Sequence, residues 1–129
     1  MSTGVTFQSL RPMLRTRDLH GTIRFWTERL GFTCDGVSEE DGWASLSRDA
    51  VGVMVATPNV HRPFSLAAFT GSFYFTVDDV ARLWASLQDD VEIAYPMEDF
   101  HYGMREFAIY DNNGYMLQFG TPLAQDLFT

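Results

Sequence analysis

Gln118 is an unusual residue for its place. It sits inside the alternating run Tyr115-Met116-Leu117-Gln118-Phe119-Gly120 near the end of the chain. In a strand, Tyr115, Leu117 and Phe119 share one face and read as core, while Met116, Gln118 and Gly120 share the other. A carboxylate at Gln118 could ligate a metal, and an aliphatic residue could close a core. A neutral amide instead gives and accepts hydrogen bonds. Two readings are open: Gln118 serves a cleft, or it merely bonds Arg11 or a neighbouring backbone group. Arg11, Met13 and Arg15 share one side of the opening strand, 11–17. These arginines could fix an acidic group of a ligand, and an internal salt bridge to Glu106 is an equal alternative. Glu98, Asp99 and His101 sit together but read as a solvated acidic loop. His20, His61 and His101 make no local metal pattern and read as surface or loop histidines. There is no HExxH, nucleophile elbow or phosphate-cradling glycine loop.

Two helices and eight strands must position these residues. In RDLHGTIRFWTERLGF, Asp18 is a candidate N-cap, Leu19, Ile23, Trp26 and Leu30 recur at helical spacing, and Gly31 stops the run. In TVDDVARLWASLQDD, Asp78 is the candidate cap and Val80, Leu83, Trp84 and Leu87 form the buried stripe. FTCDGV, GWASLS and VGVMVAT follow the first helix as strands. SFYFTV precedes the second helix, and VEIAYP, MREFAIY and YMLQFG follow it. The order strand, helix, three strands is thus written twice, with the helices beginning roughly 60 residues apart. Neither half can bury its faces alone, so the halves must share layers. The expectation is one α+β domain over 1–129, made of two tandem modules at about 8–57 and 71–121 joined by a linker at 58–70.

Composition bounds the function. The chain has 129 residues, enough for one domain with a sizeable core, and 46% are hydrophobic. Aromatics reach 15%, which suits a filled core or a ring-lined cleft. Nine basic residues face seventeen acidic ones, a net charge of −8 that would repel a nucleic acid. The single cysteine, Cys34, allows no intrachain disulfide and reads as a small hydrophobe. MSTGVTFQSL lacks the basic and apolar regions of a signal peptide, and no apolar stretch is long enough to span a bilayer. A cytoplasmic protein without membrane partners is expected.

The segments DL…FW…RLGF and YGMREF…D..G..LQFG, in this order and over nearly the whole chain, resemble the vicinal-oxygen-chelate superfamily. That group includes glyoxalases, extradiol dioxygenases and bleomycin-resistance proteins. RDLHGTIRFWTERLGF, WASLSRDAV and YGMREFAIYDNNG look most like the bleomycin-resistance branch. Asn112 stands where family hairpins usually have Pro, a change a type I turn tolerates. The resemblance implies two βαβββ modules forming curved sheets around a cleft. It also implies that the metal positions of catalytic members fall here on Arg11, Ser72 and Gln118. Arg11 has no lone pair for a metal, Ser72 is a poor ligand, and Gln118 alone cannot hold one.

The expectation is therefore a metal-free site with no cofactor and no catalytic residues. Relatives of this branch clamp a flat cationic drug between aromatic rings and acidic groups, in a groove made by two chains. By resemblance, Tyr102 and Trp43 take the aromatic groove positions, although each could instead cap the core or a dimer contact. The corresponding residue after the first helix is Gly36, not an aromatic. Arg11, Met13, Trp43, Tyr74, Tyr102, Met116 and Gln118 are the expected ligand-binding residues. The implied protein is a homodimer that sequesters a small molecule, plausibly a planar, bleomycin-like cation. The alternative is a glyoxalase- or dioxygenase-like enzyme acting on a metabolite.

Overall fold

The computed structural model describes residues 4–58, 68–69 and 71–123. Its architecture is α+β, with two four-stranded mixed sheets of identical connectivity. The first contains β1 (Met13–Arg15), β2 (Thr33–Ser38), β3 (Trp43–Arg48) and β4 (Val51–Ala56), in spatial order β1-β4-β3-β2. The second contains β5 (Phe73–Thr76), β6 (Glu92–Phe100), β7 (Met104–Tyr110) and β8 (Met116–Pro122), in order β5-β8-β7-β6. In each sheet the opening strand lies parallel to the closing one, and the other pairs are antiparallel. The expected strand-helix-three-strand order is present twice. The linker expected at 58–70, with His61, lies outside the described residues except for Pro58, Ala68 and Phe69.

Helix α1 (Leu19–Arg24) begins where Asp18 Oδ1 accepts the Gly21 N–H at 2.9 Å. It runs on as a π-helical turn, Phe25–Arg29. There the Thr27 hydroxyl takes the Ile23 carbonyl at 2.8 Å, competing with the α-helical ladder. The Phe32 N–H closes back onto the Trp26 carbonyl at 2.9 Å, and Gly31, at φ 71°, makes the left-handed stop. Helix α2 (Val80–Leu87) is capped by Asp79, one residue after the expected Asp78. The Val80 N–H is already held by Thr121 Oγ1 of β8 at 2.9 Å, which fixes where the first turn begins. The opening strand is shorter than its sequence suggests. Conversely, β6 runs on past Pro96 through the expected acidic loop. Pro96 cannot donate to the ladder, and the register slips between Tyr95 and Glu98 before pairing resumes.

One core serves both modules. Trp26 is fully buried and meets Phe32 edge-on at 4.9 Å. It also meets Phe75 of the second module at 6.3 Å, so the first helix packs across the boundary. Val80 and Leu87 of α2 are buried, and Trp84 lies 5.0 Å from Phe107. The β7–β8 turn then docks on the first module. The Tyr115 hydroxyl accepts the Arg15 N–H at 3.1 Å and donates to the Arg15 carbonyl at 3.0 Å. Asn112 and Asn113 donate their side-chain N–H groups to Thr22 Oγ1 at 3.0 and 3.1 Å. Asn112 therefore does more than tolerate the turn.

Asp111 holds this turn from inside. Its Oδ1 accepts the backbone N–H groups of Asn113 and Tyr115 at 2.9 and 3.0 Å. Its Oδ2 and the Trp26 indole N–H are both buried and approach one another without full hydrogen-bond geometry. Burial pushes the Asp111 carboxyl up, and the N–H groups of Asn113, Tyr115 and Trp26 only partly pull it back.

Two outcomes are expected. Trp26→Ala should destabilise the fold by about 3–5 kcal/mol, measured by denaturant unfolding. Asp111, with a raised folded-state value, contributes stability that is complete below the ordinary carboxylate range near pH 4 and is lost as pH rises through the raised value. Asp111→Asn keeps the Oδ1 acceptor and should flatten that part of the profile. Asp111→Ala strands two N–H groups and should cost about 1–3 kcal/mol at any pH. Unfolding curves at several pH values for the three proteins check this.

Candidate functional site

The outer face of the second sheet is built by strand alternation. Phe73 and Phe75 of β5, Phe107 and Ile109 of β7, and Leu117 and Phe119 of β8 pack toward the core. The opposite face then carries two rows. Tyr74, Gln118, Ala108 and Tyr95 stand side by side across all four strands, and Thr76, Gly120, Glu106 and Glu98 form the next row. Ala108 and Gly120 are small, and the tyrosines lie over them. A Cβ on Gly120 would fall 2.0 Å from the Tyr74 hydroxyl oxygen.

The tyrosines converge on Glu106, which is 1% exposed. Tyr74 donates to Oε1 at 2.7 Å and Tyr95 donates to Oε2 at 2.5 Å. The Gln118 Nε2 donates to the Tyr95 hydroxyl at 2.9 Å. The single Tyr95 proton goes to Glu106, so Tyr95 must accept from Gln118. That fixes the amide orientation and leaves the Gln118 Oε1 buried with no hydrogen-bond partner. Tyr102 comes from the β6–β7 turn, where Gly103 takes φ 88°. Its ring stacks on Phe100 at 5.4 Å, and Phe100 meets Tyr95 edge-on at 5.7 Å.

Burial first, and then the Glu106 hydrogen bond, push the Tyr95 phenol up to about 12. The same two causes raise Tyr74 further. Tyr102 is also raised, by desolvation of its hydroxyl and by Glu106. All three are neutral hydrogen-bond donors across the ordinary pH range.

The expected site residues divide between two places. Tyr74, Tyr102 and Gln118 come together here, and Met116, paired with Tyr110, is half-buried on the same face. Arg11, Met13 and Trp43 belong to the first sheet and its leading segment. Arg11 donates to Ser45 Oγ at 2.9 Å and packs over Gly52. Met13 is 42% exposed. Trp43, half-buried, lies against Gly36. Trp43 and Tyr102 do not stack on one another within one chain.

Two readings from sequence are corrected. Glu106 pairs with tyrosines, not with Arg11 or Arg15, because strand register puts Tyr74 and Tyr95 beside it. Arg11 is held by Ser45, and Arg15 reaches the Thr57 carbonyl at 3.4 Å. Gln118 bonds neither Arg11 nor backbone, but Tyr95. The part played by Tyr95 was missed. Counting alternation from Glu106 through Ala108 would have placed the carboxylate on the Gln118 face.

The donor set does not suit a divalent metal. Of the three residues that the resemblance sets at metal positions, Arg11 is a cation engaged with Ser45, Ser72 is an exposed hydroxyl, and the Gln118 amide is tied to Tyr95. Among the described residues, no three His, Cys, Asp or Glu side chains are grouped to hold a metal ion. His20 pairs with Glu39 at 2.7 Å. A hollow of about 520 Å³ opens between Asp18–His20 and the Glu39–Gly42 turn, and shares no residue with the tyrosine face.

The sequence profile described as "Glyoxalase/Bleomycin resistance protein/Dioxygenase superfamily" matches residues 8–119. The chain belongs to this superfamily. Among curated proteins, none matches it in sequence. Solved structures share the fold. One is a bleomycin resistance determinant encoded on the transposon Tn5, with TM-score 0.73 and 22% identity over 90% of this chain and 98% of that one. Another is the bleomycin-binding protein of bleomycin-producing Streptomyces verticillus in complex with copper(II)-bleomycin. Its TM-score is 0.68, with 23% identity over 89% of this chain and 96% of that one. A protein of unknown function from Agrobacterium tumefaciens gives TM-score 0.74 and 20% identity, over 92% and 97%. No helix among the described residues is long and apolar enough to cross a membrane.

The Glu106 cluster has a spectroscopic signature. A phenol raised in the folded state contributes stability below the unfolded value near 10 and loses it as pH rises through the folded value. Ultraviolet titration of wild type should show tyrosines ionising late, Tyr95 near 12 among them. Glu106→Gln removes the charge and one acceptor oxygen, and should move those steps back toward 10.

Proposed function

We propose that the chain is a metal-free, small-molecule-binding protein of the bleomycin-resistance kind, which sequesters a planar cationic compound resembling bleomycin. The observation that carries this is the convergence of two tyrosines, Tyr74 and Tyr95, on one buried carboxylate, with Tyr102 stacked beside them on Phe100. The Tyr74 and Tyr102 rings are 41% and 54% exposed there, and among the described residues Glu106 has no basic partner. Such rings attract flat or cationic groups. The net charge of −8 adds a long-range attraction that salt screens.

The groove is completed by a second copy. Trp43 and Tyr102 stand apart in one chain, so a clamp made of these two rings takes one from each protomer, with Met13 and Arg11 flanking it. A homodimer also covers a sheet edge that each module otherwise leaves open. The lone thiol, Cys34, suits a reducing cytoplasm. An enzyme of the same superfamily, acting on a small metabolite, is the alternative, and it rests on family membership alone.

Calorimetry with bleomycin and copper(II)-bleomycin, at low and moderate salt, tests the reading. Wild type should bind, more weakly as salt rises. Tyr102→Ala and Trp43→Ala should each lose roughly tenfold in affinity, about 1.4 kcal/mol. Sedimentation at micromolar concentration should give a dimer. Variants that bind as wild type does would make these rings structural. Turnover of a small metabolite with no binding of planar cations would put the enzyme in place of the binding protein.

A further inference from the structure

The open faces of the two sheets carry opposite charge. In the first sheet Leu14, Val53 and Val55 enter the core, so Met13, Arg15 and Met54 stand on the other side. Arg11 lies over Gly52 on that same side and bonds Ser45. Strands β1, β3 and β4 contain no Asp or Glu. In the second sheet, register puts Glu92 beside Tyr110 and Glu98 beside Glu106, on the face of Met116 and Gln118. The one basic residue of its four strands, Arg105, alternates to the opposite side and bonds Asp99 at 2.6 and 3.0 Å. Among the described residues, Arg11, Arg15, Glu92, Glu98 and Glu106 take part in no ion pair.

Both faces also carry apolar surface. Met13 and Tyr74 are exposed, and Trp43, Met54 and Met116 are half-buried. Apolar surface rimmed by charge marks an interaction site. A second copy of the chain could meet it in two ways. Pairing like on like sets arginine against arginine, or glutamate against glutamate. Pairing the first sheet on the partner's second sets arginine against glutamate. Such complementarity fixes orientation and excludes the wrong pairing more than it adds affinity.

Area separates the two arrangements in the same sense. A four-stranded face with strands about 4.8 Å apart and about six residues long covers roughly 400 Å². Under a two-fold axis, first-on-second pairing occurs twice and uses both faces of each protomer, roughly 800 Å², which is the usual size of one side of a stable interface. Like-on-like pairing uses one face and about half that area. We infer that each protomer lays the open face of its first sheet on the open face of its partner's second sheet. The partner's Arg11 and Arg15 then stand over Glu92 and Glu98, and the ligand groove has one arginine-bearing wall and one glutamate-bearing wall. This rests on the dimer of the binding reading above and gives it an orientation.

Charge reversal at two exposed positions tests this by sedimentation. Arg11→Glu sets like charges in both contacts of its homodimer, and so does Glu98→Arg. Each variant alone should dissociate at a concentration roughly tenfold or more above wild type. Mixed in equal amounts, the two variants should form a heterodimer of near wild-type strength, because both of its contacts are again complementary. The single chain carrying Arg11→Glu and Glu98→Arg together should dimerise for the same reason, which keeps the test decisive if one variant fails to fold alone. A wild-type dimer that either single variant leaves unweakened, or that neither the mixture nor the double variant restores, overturns the inference and leaves the dimer standing. A wild-type chain that stays monomeric at micromolar concentration overturns both, while calorimetry with bleomycin still decides the binding reading.

Discussion

The polar seam between the two modules governs the geometry of the rest. Tyr115 closes a two-way hydrogen bond onto the backbone of Arg15, and Asn112 and Asn113 anchor on Thr22. Asp111 braces the turn from within. Side chains in a strand alternate with period two. Pinning Tyr115 toward the first module therefore decides that Leu117 and Phe119 enter the core and that Met116, Gln118 and Gly120 look outward. A slip of one residue would exchange the two sets and dismantle the tyrosine cluster.

Glu106 shows a second level of the same dependence. A buried carboxylate is costly unless its oxygens are satisfied, and here phenols satisfy them where an arginine would ordinarily be expected. Phenols neutralise no charge, so the negative field survives burial. The Gln118 amide completes the chain by supplying the proton that Tyr95 must accept. Gln118 is thus absorbed into a hydrogen-bonded relay, and each member fixes the direction of the next.

Much of the fold was legible from local chemistry. The Asp18 cap, the Gly31 stop and the apolar faces of both helices follow from spacing, and β7 is the segment MREFAIY as read. The misreadings share a cause in non-local contacts. Thr121, remote in sequence, moves the second cap to Asp79. Pairing with β7 carries β6 past Pro96. The site was partly legible, since alternation placed Gln118, and resemblance suggested Tyr102. The link between Tyr95 and Glu106 was not, because it depends on the cross-strand register of two strands interrupted by a bulge. Arginines looked like natural partners for Glu106 only while that register was unknown.

Gly120 has a consequence for how this protein relates to its kin. The Tyr74 hydroxyl occupies the space that any side chain at Gly120 would need. Tyr74 and Gly120 therefore form a single heritable unit, and neither can change independently without opening or overfilling the face. A relative carrying a larger residue at the Gly120 position must have displaced its tyrosine and must present another surface to its ligand. This one pair offers a simple criterion for sorting members of so divergent a superfamily into those that share this face and those that share only its scaffold.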